Sequence, residues 1–245
     1  MYIPYRYKEA GKLALGWLIT NGQTARWASE KVLLCEILTA QDFRSFLSKA
    51  GNGTSADIGC AGGRYIVDLL APRFAAVTGI EYSHAHVDLA RERITHAGLS
   101  QRVRVTQGRA EQLPLEDNST DFVLCTQVLE HLPSPAAGVA EINRILRSKG
   151  RAILSIPIPP DPTPNPEHLH KDFFPTRLDE MVGEQGLIIL RRDYCMYAIT
   201  RAVGWMVGTL RIPLPLNPLV RLEQATSKLI AWPNPHTYVC VVEKP

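Results

Sequence analysis

Apolar positions along this chain first recur at helical spacing and then at strand spacing. Leu13, Leu15, Trp17 and Leu18 form one cluster, and Val32 to Leu34, Ile37, Leu38 and Phe43 to Leu47 a second. Residues 7–50 are therefore predicted helical. Gly51-Asn52-Gly53-Thr54 breaks that pattern. Short apolar runs then alternate with amphipathic stretches. Strands are predicted over Ala56–Ile58, Ala75–Ile80, Val103–Thr106, Asp121–Thr126 and Ala152–Ile156. Between them come a short helix over Tyr65–Leu70, stopped by Pro72, and one from Ser83 to Gly98. A third opens at Ser134-Pro135, with Arg144, Arg147 and Lys149 at its negative end and Gly150 as its stop. Pro157 to Pro166 is crowded with prolines and reads as a loop. A helix over Thr176–Gln185, a strand over Leu187–Leu190, an apolar helical insertion over 197–232 and a closing strand over Tyr238–Val242 complete the pattern.

Strands alternating with helices predict an α/β fold with a doubly wound, mostly parallel sheet and an antiparallel last strand. In such sheets ligands bind beyond the carboxyl ends of the strands, near the switch in strand order. One rim then gathers the turn Asp57-Ile58-Gly59-Cys60-Ala61-Gly62-Gly63, Glu81, the loop Gly108 to Glu111 and the loop Gln127 to His131. Glycines admit backbone angles closed to other residues and let a ligand touch the main chain. The helix that follows points free N–H groups into the turn. The spacing differs from the Gly-x-Gly-x-x-Gly of dinucleotide sites, and Asp57 would repel a pyrophosphate and attract an ammonium. Glu81, about twenty residues past the turn, suits a ribose diol.

Composition narrows the partners. The 245 residues are 45% hydrophobic and 21% charged with a net charge of +3, so neither nucleic acid nor an anionic surface is implied by charge. Five scattered cysteines, odd in number, read as reduced thiols and not as a disulfide frame or a zinc site. The first residues lack the order of a secretion signal, and no uncharged run is long enough to span a bilayer, so a cytoplasmic protein is expected.

Taken together, the motifs resemble the class I S-adenosylmethionine-dependent methyltransferases, in particular those acting on small molecules. The resemblance is carried by Asp57 to Gly63, by Gly79-Ile80-Glu81-Tyr82-Ser83, by Gly108 to Leu115 followed by Asp121-Phe122-Val123, and by Gln127-Val128-Leu129-Glu130-His131-Leu132 with Glu141 to Leu146. It implies a Rossmann-like core and S-adenosyl-L-methionine as cofactor, leaving S-adenosyl-L-homocysteine. It further implies that Gly59, Cys60, Ala61 and Gly63 line the methionine part and that Asp57 faces its amino group. Glu81 would hold the ribose hydroxyls, Tyr82 pack on the adenine, Ala110 and Glu111 border it, and Gln127 approach the methionine end. Two positions depart from the family pattern. Ala61 stands at a usual glycine, which the turn tolerates if its φ is negative. Arg109 stands at a usual acid; having no acceptor, it either stacks on the adenine or faces solvent.

Residues 1–50 are read as a helical cover, 51–196 with 236–245 as the cofactor-binding core, and 197–235 as a substrate lid, all within one structural domain. The reaction expected is methyl transfer, by in-line displacement, to an O, N or C atom of a small acceptor, apolar or natural-product-like. His131, His168 and His170 are the candidate bases; no metal is expected, since Glu167, His168 and His170 match no ligand spacing. The apolar 197–232 segment, flanked by Arg201, Arg211 and Arg221, admits a membrane surface as partner. The competing readings are a non-catalytic binding module on the same fold and an NAD-dependent oxidoreductase.

Overall fold

The computed structural model describes residues 22–51, 53–159, 167–170, 172–197, 200, 202, 216–227 and 235–245. The apolar cluster Leu13 to Leu18 and most of the 197–232 segment, including Val203, Trp205, Met206, Val207 and Leu210, lie outside the described residues. The chain divides into two compact units. One comprises Leu38–Asp193 with Tyr238–Pro245, the other Met1–Ile37 with Tyr194–Thr237.

The first unit is built on a seven-stranded sheet of order β3-β2-β1-β4-β5-β7-β6. The strands are β1 (Thr54–Ile58), β2 (Ala76–Glu81), β3 (Val103–Gln107), β4 (Thr120–Thr126), β5 (Leu146–Pro157), β6 (Ile188–Cys195) and β7 (Thr237–Glu243). β1 pairs in parallel with β2 and β4, β2 with β3 and β4 with β5; the last strand is antiparallel. Strand order reverses between β1 and β4, which puts the switch point at the end of β1.

Helices α1 (Gly22–Thr39) and α2 (Gln41–Lys49) precede the sheet; α3 (His84–His96), α4 (Pro135–Ile145) and α5 (Pro175–Glu184) connect its strands, and α6 (Leu216–Ser227) precedes β7. Central strands are apolar on both faces because helices cover both: Phe122, Val123, Leu124 and Cys125 of β4 are fully buried. Four of the five cysteines are buried and all are free thiols.

Two local expectations are corrected. The short helix after the glycine turn is a π-helical turn, Ile66–Leu70. The helix opened by Ser134, whose side chain accepts from the Ala137 N–H at 3.3 Å, ends at Ile145 and not at Gly150. β5 begins at Leu146, and its register to β4 jumps from Thr120↔Leu146 to Phe122↔Arg151. The intervening residues have partners of their own. Arg147 reaches Asp121 at 2.7 Å, and Lys149, at φ 64°, donates its N–H to the Lys244 carbonyl. Burial disfavours the charged Asp121 carboxylate, yet the Thr54 N–H, Arg147 and the Thr54 hydroxyl prevail and hold its pKa below the ordinary value.

In the second unit, buried Glu223 accepts from the Thr200 N–H at 2.9 Å, from the Tyr197 N–H at 3.3 Å and from the Thr200 hydroxyl. Ser29 Oγ accepts the Met196 N–H at 2.9 Å. No described helix is long and apolar enough to cross a membrane.

Candidate active site

A cavity of about 690 Å³ opens at the carboxyl ends of β1, β2 and β4 and is lined by the loops that follow them. That volume matches a cofactor-sized ligand. Its floor is the glycine turn after β1. Gly59 has φ 68°, and a Cβ there would lie 2.3 Å from Val128 Cγ2. Gly63 has φ 71° and packs against Ala90 of α3. The turn is fixed from outside as well: the Gly59 and Cys60 N–H groups donate to the Ile80 carbonyl, and Arg93, itself buried, donates to the Gly62 carbonyl.

Ala61 adopts φ 44°, so the turn accommodates this residue without the negative φ that would make it easy. A left-handed angle costs an L-residue about 1–2 kcal/mol. The compensating contact is a charge-assisted hydrogen bond, from the Ala61 N–H to Glu81 Oε2 at 2.8 Å. Ala61→Gly removes the strain but frees the unfolded chain. We expect it to raise stability, by no more than about 1 kcal/mol, in a denaturant titration. A loss of stability would mean that the methyl group packs usefully.

Glu81 sits at the end of β2 with one face toward the cavity. Its second oxygen accepts the Ser83 N–H at 2.9 Å, and His86 Nδ1 lies 3.8 Å away. Each carboxylate oxygen has a further lone pair for a ligand hydroxyl. Asp57, 1% exposed, lies at the end of β1 behind the turn and is not on the cavity wall. Burial first, and then the charges of Asp57 and Glu81, push the Cys60 thiol far above its ordinary pKa. Cys60 is thus a protonated, inert side chain, and the turn lies in a negative field.

The far wall is Gly108 to Glu111. Arg109 lies on this wall with its guanidinium over the Tyr82 ring, 5.2 Å from the centroid, and it pairs with Glu111 at 3.2 Å. Tyr82 is 68% exposed at the mouth of the cavity. This loop is held from α4. Arg144 donates to the Leu113 and Leu115 carbonyls and to Asp117, while Glu141 accepts the Leu113 N–H at 2.7 Å. Arg144 holds the Glu141 carboxyl below its usual pKa, against slight burial and with help from that N–H. Both residues fall within the quoted motifs, but their work as a strut for this loop was not foreseen.

The third wall follows β4. Gln127, at φ 54°, donates its N–H to the Ser155 carbonyl at 3.0 Å and its amide to Ser155 Oγ at 3.3 Å. Val128, His131, Leu132 and Pro133 continue the wall, and Glu167 and Leu169 close it. Of the three histidines singled out, His131 lines the cavity. His168 is buried behind it, with ring centroids 4.7 Å apart, and His170 Nε2 meets the Leu132 carbonyl at 2.8 Å. Among the residues named for the cofactor, Gly59, Ala61, Glu81, Tyr82, Ala110, Glu111 and Gln127 line the cavity; Asp57, Cys60 and Gly63 lie outside its lining.

Comparison with known proteins agrees with this geometry. Residues 56–154 match a family model described as "Methyltransferase domain". The ubiquinone biosynthesis O-methyltransferase of Pseudomonas paraeruginosa (strain DSM 24068 / PA7) is 33% identical over 104 residues, covering 42% of this chain and 43% of that protein. The chain spans under half the length of the curated relatives it matches. Among solved structures, geranyl diphosphate C-methyltransferase from Streptomyces coelicolor A3(2), in complex with Mg2+, geranyl diphosphate and S-adenosyl-L-homocysteine, aligns with a TM-score of 0.60. Identity is 13%, over 79% of this chain and 71% of that one. The [4+2]-cyclase SpnF aligns with a TM-score of 0.57 at 19% identity, over 82% and 81%. The fold and cavity define a doubly wound α/β protein with a cavity at its switch point. Over residues 56–154 its core is similar to the methyltransferase domains of the class I S-adenosylmethionine-dependent proteins.

Proposed function

We propose that this chain transfers the methyl group of S-adenosyl-L-methionine to a small acceptor bound at the Val128–Pro133 end of the cavity. The observation that carries the reading is Glu81, whose carboxylate faces the cavity while bonded to the glycine turn at Ala61. That arrangement offers a ribose diol two acceptor oxygens in a fixed position. The negative field of Asp57 and Glu81 at the turn favours the ammonium and sulfonium of the cofactor and disfavours the pyrophosphate of NAD. The main chain of Gly59 and Ala61 follows the methionine part, with Cys60 and Gly63 shaping the turn. Tyr82, Arg109, Ala110 and Glu111 flank the adenine, and Gln127 borders the methionine end.

A sulfonium methyl is already activated, so holding donor and acceptor in line supplies most of the catalysis, about 7–11 kcal/mol. The acceptor end carries apolar side chains, Val128, Leu132, Pro133 and Leu169, beside the polar His131 and Glu167. This favours an apolar acceptor with a polar atom at the reacting position. The relatives' names, for ubiquinone biosynthesis and geranyl diphosphate, point to small molecules as well.

The test pairs calorimetry with S-adenosyl-L-homocysteine and a labelled-methyl screen of hydroxylated, aromatic and isoprenoid acceptors. Micromolar binding with transfer to at least one acceptor class is expected. No heat at millimolar ligand would leave the non-catalytic module. Binding without transfer to any acceptor would favour a different chemistry on this fold, as the name of the cyclase neighbour illustrates.

A further inference from the structure

Behind the acceptor end of the cavity, two segments far apart in sequence are locked together. The Leu169 and His170 N–H groups both donate to the Glu130 carbonyl, at 3.0 and 3.3 Å. The His170 ring bonds the Leu132 carbonyl, and His131 Nδ1 meets the Glu167 carbonyl at 3.0 Å. The outcome is a cluster in which Glu130, His131 and His168 each present one ligand atom, all within 4.8 Å of one another.

We infer that these three residues hold a divalent transition-metal ion of the zinc type. Four features support this. The carbonyl at Nδ1 fixes the His131 tautomer with its proton there, which leaves the Nε2 lone pair for a metal. That Nε2 lies 4.0 Å from Glu130 Oε1. The Glu130 carboxylate has no exposed surface, and a buried carboxylate is stabilised by a cation. Two histidines and one carboxylate are also the donor set of catalytic zinc sites that keep a fourth position open. Ligand atoms on a tetrahedral zinc ion lie about 3.4 Å apart, given bonds of about 2.0–2.2 Å, so side-chain rotation closes the cluster around the ion.

The open position falls on the cavity side, since His131 is the member of the cluster that lines the wall. A hydroxyl compound bound there loses its proton to water more readily, because the ion lowers the pKa of the oxygen it binds. The oxygen's electron pair then forms the O–C bond as the S–C bond breaks, and the cofactor leaves as a neutral thioether. In this arrangement His131 is a ligand and not the proton acceptor. The acceptor chemistry rests on the methyl-transfer reading; the ion site does not.

The full chain, stripped with chelator, is titrated with Zn2+ by calorimetry and with Co2+ by visible absorption. One Zn2+ per chain and the d–d bands of four-coordinate Co2+ are expected. His168→Gln and His131→Gln should each weaken Zn2+ binding at least about 10-fold. S-adenosyl-L-homocysteine titrated into each variant reports on the fold of the neighbouring pocket. Absence of stoichiometric Zn2+ binding, or equal binding by both variants and the parent, overturns the ion site. Zn2+ binding without any binding of S-adenosyl-L-homocysteine leaves the ion site standing and overturns the cofactor reading instead.

Discussion

Glu81→Ala is expected to weaken S-adenosyl-L-homocysteine binding by about 100-fold or more, read by calorimetry. Each hydrogen bond to a charged acceptor is worth about 1.5–3 kcal/mol, and 1.4 kcal/mol is a factor of ten in affinity. Losing two ribose contacts exceeds 100-fold even at the lower figure. The same substitution takes the acceptor from the Ala61 N–H and the Ser83 N–H, so the turn loosens and the melting temperature falls with it. Glu81→Gln separates the two effects. It keeps one acceptor oxygen for the turn but weakens both diol contacts, so affinity should fall further than stability. An alanine variant within threefold of the parent in affinity would remove Glu81 from the cofactor site.

Gly59→Ala is expected to be strongly destabilising, because the backbone angle and the space both oppose a methyl group there. The residue stands at φ 68°, which costs an alanine about 1–2 kcal/mol. The new Cβ would also lie 2.3 Å from Val128 Cγ2, so the β4 loop must move. Overpacking of this kind costs about 1–3 kcal/mol. Together they predict a fall in melting temperature of about 4–20 °C in thermal unfolding, at about 2–4 °C per kcal/mol for a chain this size. Cofactor binding should be lost too, because both the turn and Val128 line the cavity. Val128→Ala in the same chain relieves the contact but not the angle, so a partial rescue is expected and a double-mutant cycle measures it. Full recovery would show that the backbone angle carries no strain.

Much of this was legible in the sequence because short-range signals set it. Apolar runs between turn residues marked the strands of the parallel core, and the acids at the ends of β1 and β2 marked the rim. Ser134-Pro135 fixed the start of α4 through a local cap. The end of α4 was not legible. Arg147 and Lys149 look like helix C-terminal cations, but their partners, Asp121 and the Lys244 carbonyl, are distant in sequence and create a bulged strand. The positive φ of Ala61 was not legible for a related reason: it is tolerated because Glu81, 20 residues away, receives its N–H.

The strand–turn–helix alternation, the glycine turn and the two acids can be read from the chain alone, because each depends on residues within a few positions of one another. Long-range packing sets which side chains share a wall. It brought Arg109 onto Tyr82, made Glu141 and Arg144 the strut of the loop after β3, and set His168 beside Glu130 and His131. Those pairings join segments separated by long stretches of chain. They follow from how the parallel strands stack their loops at one edge, which no local spacing encodes.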